Sequence, residues 1–265
     1  LTDQNIVTPS ASRFAPGTLP VYIPAFNNPT YVRRIVASLA RFPALAIVVI
    51  DNDSRYPPMH ALYEEIGARV AVLRANRNLG PRAILQDLNF FRTLPRYFCL
   101  TDPDLALNPD LPVDFPDILA RVTDAYHIGK AGFALDISDR EHMVQTPFRH
   151  VTGWHHIWDH EAQHWHAPLD DPAFVDPLYL ATIDTTFALY NKDHFDPKNP
   201  FEAIRVAGRM TCRHLPWYVD NGLPPEEEAF YRAATEFSYF LGNRPAAQVR
   251  PLFARQDAAA GAIRS

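Results

Sequence analysis

The acidic triplet Asp102-Pro103-Asp104 is the feature of this sequence best suited to chemistry. Two carboxylates one residue apart can both reach one divalent cation where the backbone turns, and Pro103 stiffens such a turn. Hard oxygen ligands of this kind suit Mn²⁺ or Mg²⁺. A cation held there stabilises the negative charge that builds on a departing phosphate group. Asp-Pro-Asp is also ordinary turn composition, so its place in the fold decides its meaning. A second pattern points to a different chemistry. His160-Glu161-Ala162-Gln163-His164 matches H-E-x-x-H, in which two histidines one helical turn apart bind zinc and the glutamate acts as base. Its surroundings are crowded with His155, His156 and His166 and closed by Pro168, so a chance match is easy. Packing or acceptor binding by Trp154, Trp158, Trp165 and these histidines is the competing reading.

The elements that must position the triplet are legible in the hydrophobic pattern. Residues 19–23 form a β-branched run that Pro24 is expected to stop. Asn28-Pro29 opens a helix, with Asn28 as N-cap and Val32, Ile35, Val36 and Leu39 on one face. Residues 45–50 are continuously apolar, as in a strand buried on both faces. A helix over 57–66, a strand over 69–73 and a helix over 81–94 follow, the last with Ile84, Leu88 and Phe91 facing inward. The strand at 97–100 then runs straight into Thr101-Asp102-Pro103-Asp104.

Such alternation implies right-handed βαβ units and a mostly parallel sheet flanked by helices, with ligands beyond the carboxyl ends of the strands. Polar clusters fall at that rim: Asn27-Asn28, Asp51-Asn52-Asp53-Ser54, residues 76–80 and the triplet. Asp51 and Asp53 have a plainer reading as helix caps, and Gly80 as a permissive loop residue. The second half is less regular, with a strand over 130–137, one or two more over 178–190, and a helix over 226–241 with aromatics on its inner face.

A chain of 265 residues is expected to form a single domain with halves over 19–110 and 111–245 and a C-terminal tail over 246–265, frayed in its Ala-rich end from 257 to 265. A formal charge of −5 argues against nucleic acid as partner. Cys99 and Cys212 are the only cysteines, and Cys99 sits in an apolar run as a buried small hydrophobe. With no disulfide framework, signal pattern or apolar run of membrane-spanning length, the expected setting is the cytoplasm or the inner face of a membrane.

Four blocks together resemble the GT-A-fold glycosyltransferases, especially the group around family 2. They are residues 22–28 (YIPAFNN), 48–54 (VVIDNDS), 76–82 (NRNLGPR) and 101–104 (TDPD). The resemblance implies an α/β, Rossmann-like GT-A fold and transfer of a hexosyl or deoxyhexosyl group from a nucleoside-diphosphate sugar. The acceptor would be a glycan or lipid-linked hydroxyl, as in bacterial-type surface polysaccharide synthesis. By that analogy Pro24, Ala25 and Asn27 line the nucleotide pocket, with Asp51 contacting the base or ribose and Asp53 among the nucleotide-binding residues. The loop of Asn78 and Gly80 would close around the nucleotide, and Asp102 and Asp104 would hold Mn²⁺ or Mg²⁺; Arg82 would either pair with the diphosphate or simply be solvated. The resemblance also implies His214 as a third metal ligand, although a purely structural histidine is nearly as good a reading. Trp217 and Tyr218 beside it would stack on a sugar or pack in the core. Family members carry a Glu-Asp pair ahead of a helix, which is absent here, so the stereochemical outcome stays open. The candidates for the acceptor-side base are Asp184, favoured because Thr185 and Thr186 add hydroxyls suited to a sugar, and Asp136, each with the competing reading of a strand-end acid bonded to nearby backbone. Other readings are a nucleotidyltransferase, disfavoured because no Gly-rich loop follows the first strand, and a non-catalytic glycan-binding protein. The chain is also consistent with one module of a larger polymer-building enzyme.

Overall fold

The computed structural model describes residues 13–150 and 153–234. The first strands and helices alternate as their hydrophobic pattern requires: β1 (Leu19–Ala25), α1 (Pro29–Leu39), β2 (Leu45–Asp51), α2 (Pro57–Ile66), β3 (Ala71–Arg74), α3 (Ala83–Gln86), α4 (Leu88–Thr93) and β4 (Tyr97–Leu100). β1 to β4 lie in the order β3-β2-β1-β4, all parallel, with helices packed on the sheet. Val32, Ile35 and Leu39 of α1 and Met59 and Leu62 of α2 are fully buried beneath Val21, Ile23 and Val49. At roughly 1.5–3 kcal/mol for each large apolar side chain buried, this layer is a principal stabiliser of the parallel half.

Pro24 does not stop β1, which runs on to Ala25. The Tyr22 carbonyl accepts from Thr101 N on the β4 side, where pairing covers only Val21 and Tyr22. Pro24, two residues on, faces the same side beyond that pairing, so its missing N–H removes no ladder bond. The helix expected over residues 81–94 is two short helices. The Asp87 carboxylate accepts from Asn89 N at 2.9 Å and Phe90 N at 3.1 Å, which starts a new helix. Leu88 consequently points outward and is 60% exposed.

The rest of the chain builds the other half of the same sheet: β5 (Leu105–Leu107), α5 (Phe115–Tyr126), β6 (Lys130–Leu135), the hairpin of β7 (Phe148–His150) and β8 (Gly153–His155), α6 (Ile157–Ala162), β9 (Pro168–Leu169), β10 (Leu178–Leu180), β11 (Ala188–Asn191), β12 (Ile204–His214) and α7 (Pro225–Ala234). Beyond β4 the order continues β11-β6-β12-β10-β9, with β5 on β12. β11 is antiparallel to both β4 and β6, and β6 runs parallel to β12. The sequence pattern did not announce α5, β5 or β12. In β12 a bulge between Val206 and Thr211 breaks the alternation on which strand recognition rests. Gly208 takes φ +60° there, and a Cβ would meet the Asp176 carboxylate at 2.7 Å.

α7 packs back onto the N-terminus of α1. Asn28 occupies the N-cap position without a side-chain cap bond. The carboxylate of Glu227 instead accepts from Thr30 N at 3.0 Å and Thr30 Oγ1 at 2.6 Å, placing negative charge at the positive end of the helix dipole. The buried residue of α7 is therefore this glutamate, while Phe230 is half-buried against Tyr56 with ring centroids 4.7 Å apart. Residues 235–241 of the expected helix and the expected tail lie outside the described residues. Among the described residues no helix is long and apolar enough to cross a membrane.

Candidate active site

The first three rim loops are hydrogen-bonded to one another. Asn27, buried and held at φ +56°, donates from its amide to Ser54 Oγ at 3.0 Å. Its Oδ1 accepts from Arg55 N at 2.7 Å and Tyr56 N at 2.9 Å. Asp51 is buried and its Oδ1 accepts from Ser54 N, so it fixes its own turn and does not cap α2. Asp53 sits at φ +63° and pairs with Arg55, in a left-handed conformation that asparagine and aspartate tolerate best. Asn52 Nδ2 donates to the Gly80 carbonyl at 3.2 Å, and Gly80 N donates to Asn78 Oδ1 at 3.0 Å, tying the third loop to the second. Pro24 and Ala25 are buried at the end of β1 beside this network. The fold therefore brings the expected nucleotide-side residues to one rim.

The acidic triplet lies at the same rim beyond β4. β5, which begins immediately after it, pairs with the end of β12, setting His214 opposite Leu105. Leu215 N donates to the Asp104 carbonyl at 2.9 Å. Asp102, Asp104 and His214 consequently offer ligand atoms that all lie within 4.8 Å of one another. His214 Nε2 is 3.4 Å from Asp104 Oδ1, and that oxygen is buried without a hydrogen bond of standard geometry. Such a donor set, two carboxylates and an imidazole with an oxygen left open, fits a divalent cation such as Mn²⁺ or Mg²⁺.

Thr185 completes the inner wall. Its hydroxyl donates to Asp102 Oδ2 at 2.6 Å, and its carbonyl accepts from Asp102 N at 2.9 Å. Burial, with the Asp104 charge second, pushes the Asp102 carboxyl up to about 7 despite His214 and Thr185. Burial alone would lower His214, but the Asp104 and Asp102 carboxylates outweigh it and the net shift is upward. Perturbation of this size in a cluster of facing acids marks a candidate functional site.

The acceptor-side candidates are placed differently. Asp184 is half-exposed and paired with Arg82, Nε to Oδ1 at 2.9 Å. Arg82 lies over the Phe201 ring. Asp136 is taken up by Arg213 at 3.3 Å and by Ser138 N at 3.0 Å, bonds that hold its carboxyl below the usual range against the cost of burial. Asp136 does not join the Asp102–Asp104–His214 cluster. Trp217 and Tyr218 are core residues, and the Tyr218 hydroxyl donates to Asp139 at 3.0 Å.

The HEAQH stretch is not a zinc site among the described residues. Glu161 is buried in an ion pair with Arg205 and belongs to no metal-ligand cluster among the described residues. His160 ends in α6 while His164 falls in the 3₁₀ turn that follows, and burial pushes His164 down to about 3. Trp158 packs inward and donates to the Ile137 carbonyl, whereas Trp154 is 62% exposed.

A family model described as Glycosyl transferase family 2 matches residues 21–196. The chain belongs to that family. The match spans the four rim loops, the triplet and the Asp184 segment, which confirms the GT-A expectation, while His214 lies beyond it. Among curated protein sequences none matches the chain. Among solved structures, S. aureus TarS is similar at 13% identity and TM-score 0.44, over 83% of this chain and 40% of that one. A structure of TarS 1–349 is similar at 18% identity and TM-score 0.36, over 50% and 41%. GalNAc-T7, solved with UDP, GalNAc and Mn²⁺, is similar at 15% identity and TM-score 0.44, over 81% and 48%. This family 2 chain thus spans less than half the length of each of these structures.

Sequence reading missed the supporting residues Lys130, Arg205 and Glu227. A lysine at the head of an apolar run and an arginine inside a strand were the available signals, since long charged side chains are almost never fully buried without a specific partner.

Proposed function

We propose that the chain is a metal-dependent glycosyltransferase moving a sugar from a nucleoside-diphosphate sugar to a hydroxyl of a glycan or lipid-linked acceptor. The observation that carries this reading is the convergence of Asp102, Asp104 and His214 at the rim of a family 2 sheet, beside the interlocked loops of Asn27, Asp51 and Gly80. Asp102, Asp104 and His214 would hold Mn²⁺ or Mg²⁺, and the bound cation supplies charge neutralisation for the departing diphosphate. Asp102 must shed its proton for this, and the Thr185 hydroxyl orients its carboxylate. His214 must present Nε2 without a proton, leaving Nδ1 to carry the remaining one. The preformed rim, held at two positive-φ residues, fixes the nucleotide before reaction, so orientation is settled at binding. Asp184, half-exposed and paired with Arg82, would accept the proton of the attacking hydroxyl.

A thermal-shift titration with nucleoside diphosphates, with and without Mn²⁺, tests the reading. A ligand at a hundredfold its Kd adds about 2.7 kcal/mol, a Tm rise of roughly 5–10 °C for a chain of this size. The rise should need Mn²⁺ and vanish in Asp104→Ala. Stabilisation by Zn²⁺ alone, with no response to any nucleoside diphosphate, refutes it.

A further inference from the structure

Residues 182–185 join the two sides of the site, since Asp184 meets Arg82 and Thr185 meets Asp102. Three carbonyls of this short segment are each taken by a donor from a different element. Arg205 Nε, on β12, donates to the Thr182 carbonyl at 2.9 Å. Lys130 Nζ, at the start of β6, donates to the Ile183 carbonyl at 2.5 Å and to the Pro200 carbonyl at 2.6 Å. Asp102 N closes the series on the Thr185 carbonyl. The two cations are 4% and 0% exposed.

Burying an ammonium and a guanidinium side by side is costly, and apolar side chains would fill the same space with a smaller desolvation penalty. Lys130 has no carboxylate within ion-pair distance among the described residues, and burial pushes it down to about 7. What the two cations have in common is the segment they bind. Arg205 is balanced by Glu161, the glutamate of the HEAQH stretch, itself 2% exposed.

We propose that Arg205 and Lys130 are positioning residues that clamp the 182–185 segment so that Thr185 meets Asp102 and Asp184 meets Arg82. Glu161 serves the clamp by neutralising Arg205, which gives the HEAQH stretch a role with no zinc. The catalytic consequence rests on the glycosyltransferase reading; the clamp itself does not.

The test uses the full chain and two variants, Arg205→Lys and Lys130→Met. Arg205→Lys keeps the charge opposite Glu161 but cannot reproduce the Nε bond, and Lys130→Met keeps the stem and loses both donors. Amide hydrogen exchange is read at Asp102 and across β2, and Mn²⁺ affinity is measured by titration. Loss of a charge-assisted bond predicts roughly tenfold or faster exchange at Asp102 with β2 unchanged, and Mn²⁺ binding weakened by a similar factor. Unchanged Asp102 exchange in both variants, or acceleration in step with β2, overturns the clamp. If the wild type binds no Mn²⁺, the functional reading fails, and the exchange data still decide the clamp either way. If Lys130→Met does not fold, exchange in Arg205→Lys alone upholds or overturns the clamp by the same criterion.

Discussion

Replacing Thr185 by valine removes one hydroxyl while keeping the shape of the side chain, and its effect can be worked from the geometry. The 2.6 Å bond from Thr185 to Asp102 is a short one to a carboxylate. A hydrogen bond to a charged group contributes about 1.5–3 kcal/mol, and one pKa unit is 1.36 kcal/mol, so its loss raises the acid by about one to two units. Asp102 starts at about 7. In Thr185→Val it should therefore titrate at roughly 8–9. The ionised fraction at pH 7 then falls from about one half to about 1–10%, and Mn²⁺ affinity falls roughly 5- to 50-fold, because a ligating carboxylate must be deprotonated. Mn²⁺ titrations between pH 6 and 9.5 should show the two proteins converging at the alkaline end. Superimposable curves, or a deficit of constant size at every pH, refute the assigned bond.

Other perturbations follow from the same structure. Asp102 is raised, principally by burial, so between about pH 4 and 7 the folded state holds a proton that the unfolded chain has lost. Its contribution to stability is present below the unfolded carboxylate range and lost as pH rises through the folded value. Metal-free protein should thus lose Tm over that window, and Mn²⁺ should raise Tm more at pH 8 than at pH 6; equal shifts would contradict the titration. Glu227→Gln removes the charge at the α1 N-terminus and weakens two bonds to Thr30, which should cost about 1–2 kcal/mol, or roughly 2–6 °C in Tm by calorimetry. Gly132→Ala places a methyl against the Phe187 carbonyl and the Ala188 backbone, so urea denaturation should show a loss of about 3 kcal/mol or more. A wild-type midpoint would mean that β6 and β11 can separate.

The parallel half of the fold was legible because each element carries a local signal. The α1 pattern of Val32, Ile35, Val36 and Leu39 is a helical face, the β2 run is a strand buried on both sides, and each boundary has a proline or a polar cluster. Crossover connections between parallel strands place their carboxyl ends at one rim. The errors fall where a side chain overrides the pattern: Asp87 restarts a helix, and Pro24 is tolerated because its empty donor faces unpaired space. The antiparallel half was opaque, since β12 is broken by a bulge and its pairing with β5 joins residues about a hundred positions apart in sequence.

For the site, the sequence alone determined the triplet and its place at the end of an apolar strand, because both are properties of a short contiguous segment. Only the tertiary structure decided which distant groups meet it. His214 reaches Asp104 through the β5–β12 register, and Thr185 reaches Asp102 through a segment held by Lys130 and Arg205. The same packing turned Glu161 away from zinc chemistry by burying it against Arg205. The physical reason is that burial and pairing set the charge state and availability of each group, and both are made by neighbours that local sequence does not specify.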